Sequence, residues 1–250
     1  MKKIFYQNLK IFIFMLLGAV LTYLIGINTN AIFAAALIGI IFGLIFPKYA
    51  IQAYIGAFIG MSSVEILPSL LFLTGACIVS SLIWIIFSKK LPNFGGKAGF
   101  IAFLGVLIIN LPLIHEKELA IPINIEIEMI LGVIFTAIIS IKATFYLRKK
   151  FKDKIKSDAV LGSAVVGLLF GLTRIFFPQT TIFSEVAFAS SFAGMTSFKF
   201  VRKKSYKLLI GLIVGIIFLF SSSFFQGFGG KLGTIAFISI IIFFLLKSKK

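Results

Sequence analysis

The segment FGGKAGFIAF at residues 94–103 recurs nearly unchanged as FGGKLGTIAF at residues 228–237. Each copy places two glycines and a lysine immediately before an apolar run, and the two copies lie 134 residues apart. A second pair keeps this spacing, because AFIGMSS at 57–63 corresponds to SFAGMTS at 191–197. Two motifs that preserve both order and spacing indicate an internal duplication of the chain.

The composition of the 250-residue chain excludes a water-soluble globule. Hydrophobic residues make up 60% of the chain and charged residues 13%, and the mean hydropathy is +1.11. These values predict an all-α polytopic membrane protein in contact with the lipid bilayer. The first apolar run, residues 11–27, lacks a small-residue cleavage site and is predicted to be a retained helix. The net charge of +17 comes from loop lysines that bias insertion, so nucleic acid is not an expected partner.

Ten apolar segments have the character of transmembrane helices. They lie near residues 9–27, 31–47, 51–64, 66–87, 97–114, 127–147, 158–177, 184–198, 207–225 and 231–247. Two of them, the third and the eighth, are short or broken, because their apolar parts extend only about 20 Å at 1.5 Å per residue. The hydrocarbon core of a bilayer is about 30 Å thick. The third and eighth helices are therefore expected to differ from the others in position and role.

The remaining parts of the chain match in the same order. Four residues of the first segment recur 114 positions later: Met15, Leu17, Gly18 and Thr22 as Met129, Leu131, Gly132 and Thr136. Two glycines before a proline also recur: Gly39 and Gly43 before Pro47, and Gly167 and Gly171 before Pro178. The chain is predicted to consist of two repeats of five spans, residues 1–120 and residues 121–250.

The odd number of spans in each repeat determines the predicted topology. Two fused copies of a five-span unit must enter the membrane in opposite senses, which makes them inverted-topology repeats. With a cytoplasmic N-terminus, only Lys117, Arg174 and Lys231 of the 25 basic residues are predicted to lie outside. This asymmetry follows the positive-inside rule and predicts a protein of the plasma membrane with both termini in the cytoplasm.

The repeated Gly-Gly-Lys sequence supplies the first candidate substrate-binding residues, which are Gly95, Gly96, Lys97, Gly229, Gly230 and Lys231. A helix N-terminus leaves backbone N–H groups free, two glycines let a ligand approach them, and lysine adds positive charge. The combination suits an anion or a carboxylate. The alternative is that the glycines pack helices and the lysines snorkel at helix ends. That alternative is favoured for Lys97 but weaker for Lys231, whose outer position is not explained by charge bias.

The short third and eighth spans supply the remaining candidates. Their hydroxyl residues, Ser62, Ser63, Thr196 and Ser197, would line a polar cavity, with apolar walls from Phe58, Met61, Phe192 and Met195. Short, glycine-containing spans at matching places in inverted repeats point to a central binding site. The alternative is that the hydroxyl groups bond to their own helices and that the phenylalanines are ordinary apolar residues.

Other polar residues point to no further chemistry. Glu65 and Glu185 are predicted to be solvated at loop ends beside the short helices, and His115 is predicted to be solvated in an outer loop. The single cysteine, Cys77, is interpreted as a small buried apolar residue. No span contains a Ser/His/Asp set, a histidine cluster or an acid pair, so neither an enzyme, a cofactor nor a metal site is predicted.

The favoured function is transport of a small solute, predicted to be anionic, by a carrier or channel whose pathway lies between the inverted repeats. The alternative is a non-transporting membrane subunit, a scaffold whose basic cytoplasmic loops at residues 148–156 and 199–207 meet an acidic partner protein. The plan of ten short spans in two inverted sets of five resembles in outline the compact transporters of the drug/metabolite type, in topology and size only. The sequence leaves the formation of a homo-oligomer open.

Overall fold

Ten α-helices form most of the chain in the computed structural model, which describes residues 2–90, 92–112 and 126–248. In chain order they are α1 Lys2–Asn28, α2 Ala31–Ile45, α3 Ala50–Gly60, α4 Leu70–Phe87, α5 Lys97–Asn110, α6 Ile127–Phe151, α7 Asp158–Phe176, α8 Thr181–Ala193, α9 Lys204–Ser221 and α10 Lys231–Ser248. A short 3-10 helix, Pro178–Thr180, precedes α8, and no strand occurs in the ranges described. The ten helices lie where the sequence predicts ten apolar segments.

Six of these helices, α1, α4, α6, α7, α9 and α10, are long and apolar enough to cross a membrane. Their surfaces carry many exposed large apolar side chains, such as Leu71, Leu131 and Phe220, which suit contact with lipid rather than water. The chain is therefore a helical membrane protein. Helices α2, α3 and α5 are apolar but shorter, and the crossing of the bilayer by all ten helices remains a prediction. His115 and Lys117, predicted to lie outside the membrane, fall outside the described residues.

Local sequence accounts for the ends of several helices. The side chain of Asn30 accepts the Phe33 N–H at 2.9 Å and so caps the start of α2. At the other end, α2 stops two residues before Pro47, and α7 stops two residues before Pro178. The ring of a proline disfavours helical backbone at the residue before it, so these prolines end both helices at equivalent places.

The short helices α3 and α8, with 11 and 13 residues, occupy the interior of the helical bundle. Every residue of α3 except Ile51 is buried, and so is the last half of α8. Small residues let the long α1 approach α3, since a Cβ at Gly56 would overlap the backbone carbonyl of Met15. A helix surrounded by protein does not have to match the thickness of the bilayer, which removes the cost of its shortness.

Many packing contacts occur twice, between residues that correspond in the two predicted repeats. Gly39 faces the ring of Tyr54, and Gly167 faces the ring of Phe188 in the same way. Helices α5 and α10 cross where Gly99 and Gly233 meet, because a Cβ on either would lie within 2.5 Å of the other's Cα. Glycine is needed at this crossing because the two backbones come closer than any side chain would allow.

The correspondence between α1 and α6 differs from the one that the sequence predicts. Thr22 packs against Gly60 at the end of α3, while Thr144, not the predicted Thr136, packs against Gly194 at the end of α8. The buried positions of α1, residues 11, 15, 18, 19 and 22, match positions 133, 137, 140, 141 and 144 of α6, a spacing of 122 rather than 114. The identity at spacing 114 between Leu17 and Leu131 joins two exposed positions and therefore does not reflect equivalent packing.

Candidate functional site

Two cavities open at opposite ends of the interior helices α3 and α8 and of the adjoining α7. The first, of about 520 Å³, contains Lys97 in its lining, and the second, of about 440 Å³, contains Lys231. Asp158 at the start of α7 lines the first cavity, and Arg174 near the end of α7 lines the second. At 1.5 Å per residue these two positions are about 24 Å apart along the helix. The cavities therefore approach each other from the two ends of the bundle.

An aromatic barrier, formed by Tyr54, Phe58, Phe188 and Phe192, separates the two cavities. Phe58 and Phe192 line both cavities, and their ring centroids are 4.6 Å apart. Behind them, Tyr54 packs on Phe58 at 4.3 Å and Phe188 packs on Phe192 at 4.4 Å. All four rings are buried, and the four come from two pairs related by 134 residues. The barrier is thus a buried contact between corresponding aromatic rings of α3 and α8.

The two lysines of the repeated sequence occupy equivalent positions. Lys97 Nζ donates a hydrogen bond to the Ser88 carbonyl at 2.8 Å, and Lys231 Nζ donates to the Ser222 carbonyl at 2.9 Å. Ser88 and Ser222 are themselves related by 134 residues and follow the last turns of α4 and α9. Each lysine thus places its positive charge at the C-terminal end of a neighbouring helix, where the helix dipole is negative, and beside one cavity.

The glycines before these lysines pack tightly rather than opening a path for a ligand. The N–H of Gly95 donates to Thr196 Oγ1 at 3.0 Å, and the N–H of Gly229 donates to Ser62 Oγ at 3.0 Å. These two backbone donors, which the sequence predicts to be free for an anion, are satisfied by hydroxyl groups of the other half of the chain. Gly96 and Gly230 have positive φ angles of 79° and 84° and are buried against α10 and α5.

The predicted site residues differ in the cavity that they line, and four of them line neither cavity. Those lining the first cavity are Phe58, Gly96, Lys97, Phe192, Met195 and Ser197, and those lining the second are Phe58, Met61, Phe192, Gly229, Gly230 and Lys231. Gly95, Ser62, Ser63 and Thr196 line neither cavity. They instead join the ends of α3 and α8 to the loops before α10 and α5, and Ser63 N–H donates to the Gly227 carbonyl at 2.9 Å.

Arg148 is a cavity residue that sequence reasoning missed. It was predicted to begin a cytoplasmic loop at 148–156, but α6 continues to Phe151 and the Arg148 side chain is only 6% exposed. Its Nε lies 3.0 Å from Asp158 Oδ2, and its Nη1 donates to the carbonyls of Gly194 and Thr196 at 2.7 and 2.6 Å. The carboxylate neutralises the guanidinium, which lets the helix extend and the charge be buried. The available sequence signal was weak: two acids, Asp153 and Asp158, follow Arg148 within ten residues, and the sequence does not show which of them pairs with it.

Glu185 also differs from its prediction. It lies within α8 rather than at a solvated loop end, lines the second cavity, and places Oε1 3.9 Å from Arg174 Nη1. A carboxylate therefore lines the same cavity as Lys231, and the prediction of a solvated Glu185 at a loop end is wrong. Glu65, by contrast, is exposed as predicted.

Positive charge nevertheless predominates in both cavities. The first is lined by four basic residues, Lys97, Arg148, Lys152 and Lys156, and by one acidic residue, Asp158. The second is lined by the basic residues Arg174 and Lys231 and by the acidic Glu185. Within the described part of the chain no group of three or more His, Cys, Asp or Glu side chains could hold a metal ion.

Comparisons with protein-family models, with curated proteins and with solved structures found no match.

Proposed function

We propose that the protein is a membrane transporter for a small anionic solute, built from two inverted-topology repeats, residues 1–120 and 121–250. The observation that carries this proposal is the pair of cavities at opposite ends of α3, α7 and α8, with the contact between the Phe58 and Phe192 rings lying between them. A cavity towards each end with a closed centre between them fits a pathway with two entrances, which alternating access would open in turn. The class of solute follows from the excess of basic side chains in both cavities.

Paired contacts support a mechanism in which the two repeats exchange conformations. The Gly95 N–H of the first repeat donates to Thr196 of the second repeat. In the corresponding hydrogen bond, the Gly229 N–H of the second repeat donates to Ser62 of the first repeat. If one repeat adopts the conformation of the other, the same contacts can re-form with the first and second cavities exchanged. Inverted repeats thereby provide two states of similar free energy from one design. Passage of the solute from one cavity to the other then requires Phe58 and Phe192 to move apart.

Cysteine labelling tests the topology. In a Cys77→Ala background, Asn93→Cys is expected to be protected from an impermeant thiol reagent in intact cells, while Gln226→Cys reacts. Both positions are exposed and precede the repeated sequence, so only the side of the membrane distinguishes them. Asn93 has a φ of 68°, and Pro92→Cys is a second variant without that backbone strain. Reaction from outside at both positions in intact cells would contradict inverted repeats.

Flux into proteoliposomes tests the solute class. Phosphate, sulfate and small mono- and dicarboxylates are the test solutes, with Na⁺ and K⁺ as controls. Lys231→Gln removes a cavity charge at similar side-chain length and is expected to reduce anion flux about tenfold, with Lys97→Gln acting in the same direction. The exposed Lys89→Gln, which removes an equal charge outside both cavities, is the control variant. Normal flux in both cavity variants, or transport of cations alone, would refute the anionic assignment, and the absence of any flux would favour the scaffold alternative.

A further inference from the structure

A third cavity, of about 450 Å³, lies on the outer surface of the bundle between α6 and α9. Its lining consists of Lys142, Lys204, Ser205, Lys207 and Leu208, none of which lines the first or second cavity. Helices α6 and α9 approach closely where Gly211 faces Ile138, because glycine lets the backbones come together. Towards the start of α9, Lys204, Lys207 and Leu208 line the cavity together with Lys142 of α6, and we call this cavity the basic cleft.

Lys142 is the unusual member of this basic cleft. It lies nine residues before Phe151, the last residue of α6, so its Cα is about 14 Å from that helix end. The rest of α6 is apolar enough to cross a membrane, and the Lys142 side chain is exposed on its outer surface. A lysine at such a position carries a free-energy cost unless its ammonium reaches the interface or an anion.

No acidic side chain lines the cleft to balance its three ammonium groups. Lys207 has Lys149 and Lys204 as charged neighbours, so like charges surround it. The cleft also lies at the N-terminus of α9, where the helix dipole adds positive potential. Three unbalanced lysines, a hydroxyl group and a helix N-terminus together favour a ligand with a phosphate-like negative charge.

The surface beside the cleft is apolar and exposed. Phe135, Ile139 and Tyr146 are exposed at 66%, 43% and 59% and share one face of α6 with Lys142. Leu208 extends the apolar surface to α9. An apolar surface therefore adjoins the basic cleft. A ligand with a hydrocarbon chain would contact both the cleft and this surface, whereas a free inorganic ion would contact the cleft alone.

We propose that this basic cleft binds the phosphate headgroup of an anionic phospholipid, whose acyl chain packs along Phe135 and Ile139 of α6. Basic clefts between membrane helices are suited to such headgroups because phosphate neutralises the lysines at the interface. The bound lipid joins α6 to α9. This inference does not rest on the proposed transport activity, and either can fail without the other.

Lipid binding to the purified full-length protein tests the inference, with phosphatidylglycerol and phosphatidylcholine compared by native mass spectrometry. The protein is expected to retain phosphatidylglycerol in preference. Lys142→Gln is expected to weaken that binding about fivefold, and the triple variant Lys142→Gln, Lys204→Gln, Lys207→Gln roughly hundredfold. Because Lys142 and Lys204 are exposed and Lys207 is partly exposed, the variants are expected to fold normally.

The control removes three exposed lysines elsewhere, through Lys48→Gln, Lys89→Gln and Lys90→Gln, and is expected to leave lipid binding unchanged. Equal retention of both lipids, or an equal loss in the control variant, would overturn the proposal. Inorganic phosphate is added as a competitor against a short-chain phosphatidylglycerol. Displacement by phosphate at concentrations similar to those of the lipid would identify a free-phosphate site and refute the lipid assignment.

Discussion

Gly230→Ala is expected to prevent the chain from accumulating as folded protein, and Gly96→Ala to have the same effect. Gly230 has a φ of 84°, which by itself costs an alanine about 1 kcal/mol. The added Cβ would also overlap the Gly99 carbonyl and the Phe103 N–H, which are backbone atoms of α5 that no side-chain rotation can move. Strain and displacement of α5 together are expected to cost about 4 kcal/mol. Yield and melting temperature in detergent, followed by size-exclusion chromatography, measure the effect.

Gly26→Ala is the matched control for this experiment. Gly26 lies within α1, and the atom nearest to an added Cβ is 3.8 Å away, an ordinary van der Waals distance. Alanine is a better helix former than glycine by about 1 kcal/mol, so this variant is expected to melt at the same or a higher temperature. Equal yields and equal melting temperatures for Gly230→Ala and Gly26→Ala would contradict the close contact between Gly230 and the backbone of α5.

Replacement of Arg148 is expected to have the second largest effect, a loss of about 3–5 kcal/mol in Arg148→Met. The methionine fills similar space but leaves the Asp158 carboxylate, 21% exposed, without its partner. It also leaves the carbonyls of Gly194 and Thr196 without the donor that joins the end of α8 to α6. Arg148→Lys keeps the charge but lacks the planar group that reaches all three acceptors, and an intermediate loss is expected. The melting temperature in detergent measures each variant.

A double variant makes the Arg148 prediction specific. Adding Asp158→Asn to Arg148→Met removes the uncompensated carboxylate and is expected to recover part of the lost stability. Lys149→Met, at the exposed neighbouring position of α6, removes an equal charge and is expected to change the melting temperature little. No recovery in the double variant, or an equal loss in Lys149→Met, would show that the buried Arg148–Asp158 pair does not stabilise the bundle.

The candidate site was only partly accessible to sequence reasoning. The repeated sequence predicted Lys97 and Lys231 as site residues, and each of them lines one of the two cavities. It did not reveal that the backbone N–H groups of Gly95 and Gly229 donate hydrogen bonds to the side chains of Thr196 and Ser62, which are 101 and 167 residues away. Nor did it reveal Arg148, because an arginine near the end of an apolar run is an ordinary topology signal unless a carboxylate lies beside it in space.

Local patterns in the sequence determined the membrane character of this protein, the positions of ten helices and the shortness of α3 and α8. Hydropathy, glycine and proline act over a few residues, so these features need no knowledge of the fold. Only the tertiary structure decided that the aromatic rings of α3 and α8 meet, that α1 corresponds to α6 at a spacing of 122 and that Glu185 faces a cavity. These depend on which backbones approach closely, a property of helix pairs distant in sequence.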